Sequence, residues 1–184
     1  LWSDHVGDKE RGLVALQKAA DLDPTHVLVF EKLFRALKDR GDASALARLT
    51  NQRLQVIVDK EERSELAMLQ SQLLRESGQT EKSRATLQHI LDERPDHLPA
   101  LEKLAAFALE DADVKAAEQA LLQLARLSSS WDDQANAYMA LGNLYKNDLV
   151  NLERAERCYQ EVLRRKPNHP DARAALLPLY LEHQ

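Results

Sequence analysis

The sequence predicts an all-α fold, and three observations carry that prediction. The 184 residues include 33 Leu and 25 Ala against 9 Val and 2 Ile. Leu and Ala form helices readily, while the scarce β-branched residues favour strands. Five Gly and six Pro leave little material for β-turns. Apolar residues recur at helical spacing, and the segments that carry them repeat along the chain.

The elements follow in order. A fragmentary first helix at Leu1–His5 pairs with Lys9–Leu22. Further pairs are His26–Arg40 with Ala43–Val58, Glu62–Ser77 with Glu81–Glu93, Leu98–Glu110 with Val114–Leu127, and Asp132–Asn147 with Leu152–Arg165. A lone final helix spans Pro170–Leu181. Ser130-x-x-Asp133 reads as a capping box, and Asn168 precedes a helix with Pro170 in its first turn. Leu1-Trp2 opens abruptly on apolar residues, and the half-repeats at both ends suggest a piece of a longer chain.

Composition excludes several classes of function. Lys and Arg total 25 against 30 Asp and Glu, a net charge of −5. A nucleic-acid binder would show a basic excess, and nine aromatics are few for stacking on RNA bases. The longest apolar runs are a few residues, too short for direct insertion into a membrane, and no signal peptide is visible. The single cysteine, Cys158, cannot build a disulfide framework or a thiolate zinc cluster. It suits cytosol and periplasm alike. Localisation stays unknown: the chain reads as soluble, with the cytoplasm slightly favoured.

Repetition is the informative feature. Gly12–Ala19 leading to Pro24-Thr25-His26 aligns with Ser83–Ile90 leading to Pro95-Asp96-His97. Both align with Ala155–Val162 leading to Pro167-Asn168-His169, at offsets of 71 and 72 residues. That period is about twice 34, the length of a helix-turn-helix repeat. Gly41 and Gly78 punctuate a second register, and Ala117 with Leu121 and Leu124 repeats the small-large-apolar pattern of Ala155, Tyr159 and Val162.

The clearest unit reads Tyr138-x-x-Leu141-Gly142-x-x-Tyr145, then Ala155, Tyr159, Val162 and Pro167. This resembles the tetratricopeptide repeat (TPR) family, with one extra residue between Tyr145 and Ala155. Gly142 and Ala155 are small so that helices can approach. The aromatics fill the space between them, and Pro167 stops the second helix. Other units depart from the pattern: Phe34 and Ala105 stand at the glycine position, and about three extra residues lie near Asp59–Glu62 and Ser128–Asp133. Local changes of pitch are expected there. The resemblance implies a right-handed α-solenoid of antiparallel helix pairs, a TPR-like superhelix of about four full repeats plus half-repeats at both ends. Residues 1–184 then form a single array with units near 1–24, 27–60, 61–95, 98–131, 132–167 and 170–184. The irregular double period is similar to long bacterial tandem-repeat scaffold proteins.

No constellation for catalysis, metal or cofactor emerges. His26, His97 and His169 share one repeat position, but sit about 20 Å apart at ordinary interhelix spacing. They cannot share an ion, and a structural role near a helix start is expected. Arg154, Arg157 and Arg165 could activate Cys158; a packed, inert thiol is the favoured reading. The acid pairs Glu61-Glu62, Glu110-Asp111 and Asp132-Asp133 lie at helix ends, where the macrodipole explains helix-start acids. The acid-rich stretch Asp92–Asp113 and the base-rich stretch Glu153–Arg173 could steer a charged partner.

The resemblance implies a non-enzymatic scaffold that binds a protein or peptide within a multiprotein assembly, through a concave groove lined by first helices. By family register the groove positions are Glu31, Arg35, Lys38, Gln72, Arg75, Lys103, Asn143 and Lys146. The two-carboxylate clamp of chaperone-tail binders is not matched. Its positions read Glu31, Arg35, Leu69, Pro99 and Lys103, or, one unit later, Met68, Gln72, Lys103, Asn136 and Ala140. Two alternatives remain: a recruiting or regulatory arm of an enzyme, and a solenoid that self-associates through its ends.

Overall fold

The computed structural model describes residues 6–182. These form ten helices: α1 (Val6–Leu22), α2 (Val27–Asp39), α3 (Ala43–Leu54), α4 (Lys60–Glu76), α5 (Thr80–Glu93), α6 (Leu98–Glu110), α7 (Val114–Leu127), α8 (Trp131–Asn147), α9 (Leu152–Arg165) and α10 (Pro170–Glu182). The expected helix at Leu1–His5 lies outside the described residues. The chain divides into two compact units at Ile90 and Leu91, inside α5.

In the first unit α1 packs on α2, α2 on α3 and α3 on α4. Leu33 and Leu37 of α2, Leu46 and Leu49 of α3, and Leu73 and Leu74 of α4 form its core, flanked by Phe30 and Phe34 with ring centroids 5.8 Å apart. Each buried leucine contributes about 1.5–3 kcal/mol relative to exposure. Hydroxyls also reach the interior, and each donates to a backbone carbonyl. Thr50 donates to the Leu46 and Ala47 carbonyls, Ser64 to Lys60, Ser71 to Met68, and Ser83 of α5 crosses to the Ser71 carbonyl at 2.6 Å.

In the second unit α6 packs on α7, α7 on α8, α8 on α9 and α9 on α10. Alanines and leucines dominate its interior, with Tyr145 and Tyr159 buried among them. Ala135, Val162 and Ala172 are fully buried, with Tyr138, Met139 and Leu163 packed against them.

Helix starts are capped by short polar side chains, which satisfy amides that have no intrahelical partner. Asp42, Asp59, Asp113 and Asn151 each accept from the amide three residues on. Ser130 accepts from Asp132 and Asp133, the serine half of the expected box.

Several boundaries differ from expectation. Helix α1 already covers Val6–Asp8, ahead of the expected start at Lys9. Helix α3 stops at Leu54 rather than Val58, because the chain turns so that Ile57 is buried and Asp59 can cap α4, which therefore starts at Lys60 rather than Glu62. The cap of α10 is His169 rather than Asn168, whose side chain accepts from Arg173.

Candidate functional site

Helices α8 and α9 hold the best-formed repeat. Leu141, Ala155, Tyr159 and Val162 are fully buried, and Tyr145 nearly so. A Cβ at Gly142 would stand 2.7 Å from Tyr159 Cδ1, and nearer still to Cε1. Only glycine lets the ring lie there. The Tyr159 hydroxyl donates to Asn143 Oδ1 at 2.9 Å, which fixes the ring. Tyr138 lies under the Arg165 guanidinium, 4.5 Å from its centroid.

The turn inside each helix pair needs one residue in the left-handed region, immediately before the next helix or its cap. Gly41 (φ 69°) and Gly78 (φ 78°) supply it in the first unit. Ala112 (φ 54°) and Val150 (φ 48°) supply it in the second. Glycine is the residue that adopts this conformation without strain.

Several ionisable groups in the second unit are tied into its packing. Tyr145 donates to Glu118 Oε1 at 2.6 Å, and Arg154 donates to the same oxygen at 3.3 Å. Burial first, then the Glu118 carboxylate, pushes the Tyr145 phenol up to about 12. Cys158 is buried, and that burial, helped by Glu161, pushes its thiol up to about 11; Arg154 offsets this only in part. The nearby arginines therefore do not activate it. Arg157 pairs with Glu153, and Arg165 with Glu161.

The three repeat histidines cap helices. His26, His97 and His169 each accept at Nδ1 from the amide three residues on, at 3.5, 3.1 and 3.3 Å. Their proline partners, Pro24, Pro95 and Pro167, stand in the preceding turns.

The expected groove residues fall on first helices of pairs. Glu31, Arg35 and Lys38 project from an exposed face of α2 with no ion-pair partner among the described residues. On α4, Gln72 donates to Glu76, and Arg75 is half-buried. On α6, Lys103 lies over the Phe107 ring at 5.8 Å. On α8, Lys146 is half-buried, while Asn143 is engaged by Tyr159.

One cleft of about 310 Å³ opens within the second unit. Ala105, Ala106 and Leu109 of α6 form one wall, and Leu121 and Leu124 of α7 the floor. Ala137 and Asn136 of α8 form the other wall. Glu102 and Asp133 stand on its rim. Among the described residues no helix is long and apolar enough to cross a membrane.

Comparison with known proteins agrees with this geometry. Residues 135–169 match the family model of the tetratricopeptide repeat. That match covers one repeat, and the fold is that of tetratricopeptide-repeat structures. Solved structures share its fold at low identity. YrrB, described as a TPR protein with an unusual peptide-binding site, is 16% identical, with a TM-score of 0.60 over 92% of this chain and 84% of that one. MamA is 17% identical, with a TM-score of 0.62 over 89% and 96%. The C-terminal part of a TPR repeat-containing protein from Cytophaga hutchinsonii is 16% identical, with a TM-score of 0.65 over 92% and 67%. No curated protein sequence matches.

The tetratricopeptide register explains what was found and what was missed. The signature positions Ala117, Tyr138, Leu141, Gly142, Tyr145, Ala155 and Tyr159 all serve packing. Glu102, Ala106 and Leu109 escaped notice, and Asp133 was read only as a helix-start acid, because they meet only when α6, α7 and α8 are folded together. Each taken singly looks like an ordinary surface or helix residue.

Proposed function

We propose that this chain is a non-catalytic scaffold that binds a protein or peptide partner through the exposed faces of its first helices. The observation that carries this reading is the row Glu31, Arg35 and Lys38 on α2: long, charged, exposed side chains that make no ion pair among the described residues. Such side chains can bond the amides and carboxylates of an extended chain. The fold supports the reading, because a solved protein that shares it is described by its peptide-binding site.

The test is a pull-down from source lysate read by mass spectrometry, with the unaltered chain and an Arg35→Glu, Lys146→Glu chain as baits. Asn143 is left alone because its substitution would strip Tyr159 of its hydrogen bond. A partner captured by the unaltered bait and lost by the altered one supports recognition through the first helices. A partner kept by both moves the interface elsewhere, and no partner at all points to self-association.

A further inference from the structure

The whole net charge of −5 sits in one unit. Residues 1–90 carry 14 acids and 14 bases, whereas residues 91–184 carry 16 acids and 11 bases. Many of the second unit's bases are engaged internally: Arg154 with Glu118, Arg157 with Glu153, Arg164 and Arg165 with Glu161, Lys166 with Asp132. Glu102 and Asp133 have no such partner among the described residues, and both rim the cleft between α6 and α8. No lysine or arginine lines that cleft. The rest of its lining is alanine and leucine with Ser128 and Asn136, and Leu109 remains 42% exposed.

We propose that this cleft takes an extended peptide segment that pairs a small apolar side chain with a lysine or arginine. The inference rests on the scaffold reading above and adds the partner's chemistry. About 310 Å³ is near the lower limit of ligand sites. It admits one or two side chains, not a helix about 10 Å across. The small side chain covers Ala106 and Leu109. The cation meets carboxylates from two facing helices, Glu102 and Asp133, in a unit whose net field is negative. An acidic segment would meet the same carboxylates and be repelled.

The test uses the full chain and three acetylated nonapeptides in which alanine alternates with lysine, glutamate or serine, measured by calorimetry. Only the alanine–lysine peptide should bind. Glu102→Gln with Asp133→Asn should weaken it at least about fivefold, and so should raising salt severalfold. Ala106→Phe fills the cleft from its exposed wall without changing charge. It should weaken binding at least about tenfold, with an unchanged circular dichroism spectrum. Asp148→Asn, an exposed acid off the cleft, should change binding by less than about twofold.

Equal losses from Asp148→Asn and from the rim variants, or undiminished binding to Ala106→Phe, would reduce the effect to diffuse attraction and overturn the cleft. A random peptide display library separates the two levels of the reading. Enrichment of acidic or uncharged sequences overturns the cationic partner and leaves the scaffold standing. Enrichment of nothing overturns both.

Discussion

The two units solve the same packing problem with different chemistry. In the first, Ser71 and Ser83 stand where α4 meets α5, fully buried and joined by a hydrogen bond from Ser83 Oγ to the Ser71 carbonyl. In the second, the corresponding positions where α8 meets α9 are Gly142 and Ala155, and the space left at Gly142 holds the Tyr159 ring. The matching residue of α5 is Leu87, also fully buried. A close helix approach can thus be bridged by small hydroxyls that bond the backbone, or emptied of side chain and filled by an aromatic from across the interface. The first solution tolerates change because its hydroxyls bond backbone carbonyls, Ser71 within its own helix and Ser83 across to α4. The second is a jigsaw in which one extra methyl has nowhere to go.

The largest expected effect tests that contrast. Gly142→Ala should cost about 2–3 kcal/mol in urea unfolding, because the new Cβ overlaps a ring that is buried and held by Asn143. Ser71→Ala, at the equivalent place, should cost about 0.5–1 kcal/mol for one local hydrogen bond. Adding Tyr159→Leu to Gly142→Ala copies the leucine of the first unit and should recover part of the loss. Similar costs for Gly142→Ala and Ser71→Ala would mean that the two interfaces do not differ in tightness.

The same contrast explains what could be read in the sequence. The second unit's repeat was legible because glycine, alanine and tyrosine at fixed spacing leave few other uses. The first unit's was faint: Gln70 and Ser71 replace the Leu-Gly pair, and Gln70 is buried by bonding Asn51 rather than by being apolar. The turns show the reverse. Gly41 and Gly78 announced left-handed positions, while Ala112 and Val150 adopt the same conformation without the residue that signals it. Nothing local marks Val150; the cap of α9 by Asn151 and the hydrogen bond from the Asn151 amide to the Tyr145 carbonyl place it there. The cleft was illegible because it belongs to three helices, and none of its residues is unusual alone.

A second test concerns alkali. The raised groups, Cys158 at about 11, Tyr145 at about 12 and Tyr159, whose phenol burial also pushes up, all lie in the second unit. A thiol whose folded value lies above its ordinary one stabilises the fold below pH 9. That contribution disappears as pH rises through about 11. Discounted for partial solvation, it amounts to about 1–2 kcal/mol. Thermal melts at pH 8 and above pH 10 should show a steeper fall for the unaltered chain than for Cys158→Ala. An equal fall in both would remove Cys158 as its source. In the first unit the shifted groups, Asp21 and Asp23, are exposed carboxylates held below their ordinary range by hydrogen bonds, Asp21 from Gln52 and Asp23 from Thr25.

The smallest effect separates two copies of one device. His26 and His97 occupy the same repeat position and cap α2 and α6 through the same ring nitrogen. They differ in surroundings. His97 is buried and accepts at 3.1 Å, whereas His26 is exposed and accepts at 3.5 Å, the outer limit of a hydrogen bond. At an exposed cap, water takes over the freed amide when the imidazole is removed. At a buried one the amide stays without a partner and carries its desolvation cost. His97→Ala should therefore cost about 1 kcal/mol and His26→Ala a few tenths. His97→Asn, which can accept from the same amide, should restore most of the difference. Equal costs for the two alanine variants would show that burial does not set the worth of this cap. In that case the recurring proline-x-histidine would owe its place to the turn before the helix rather than to the bond within it.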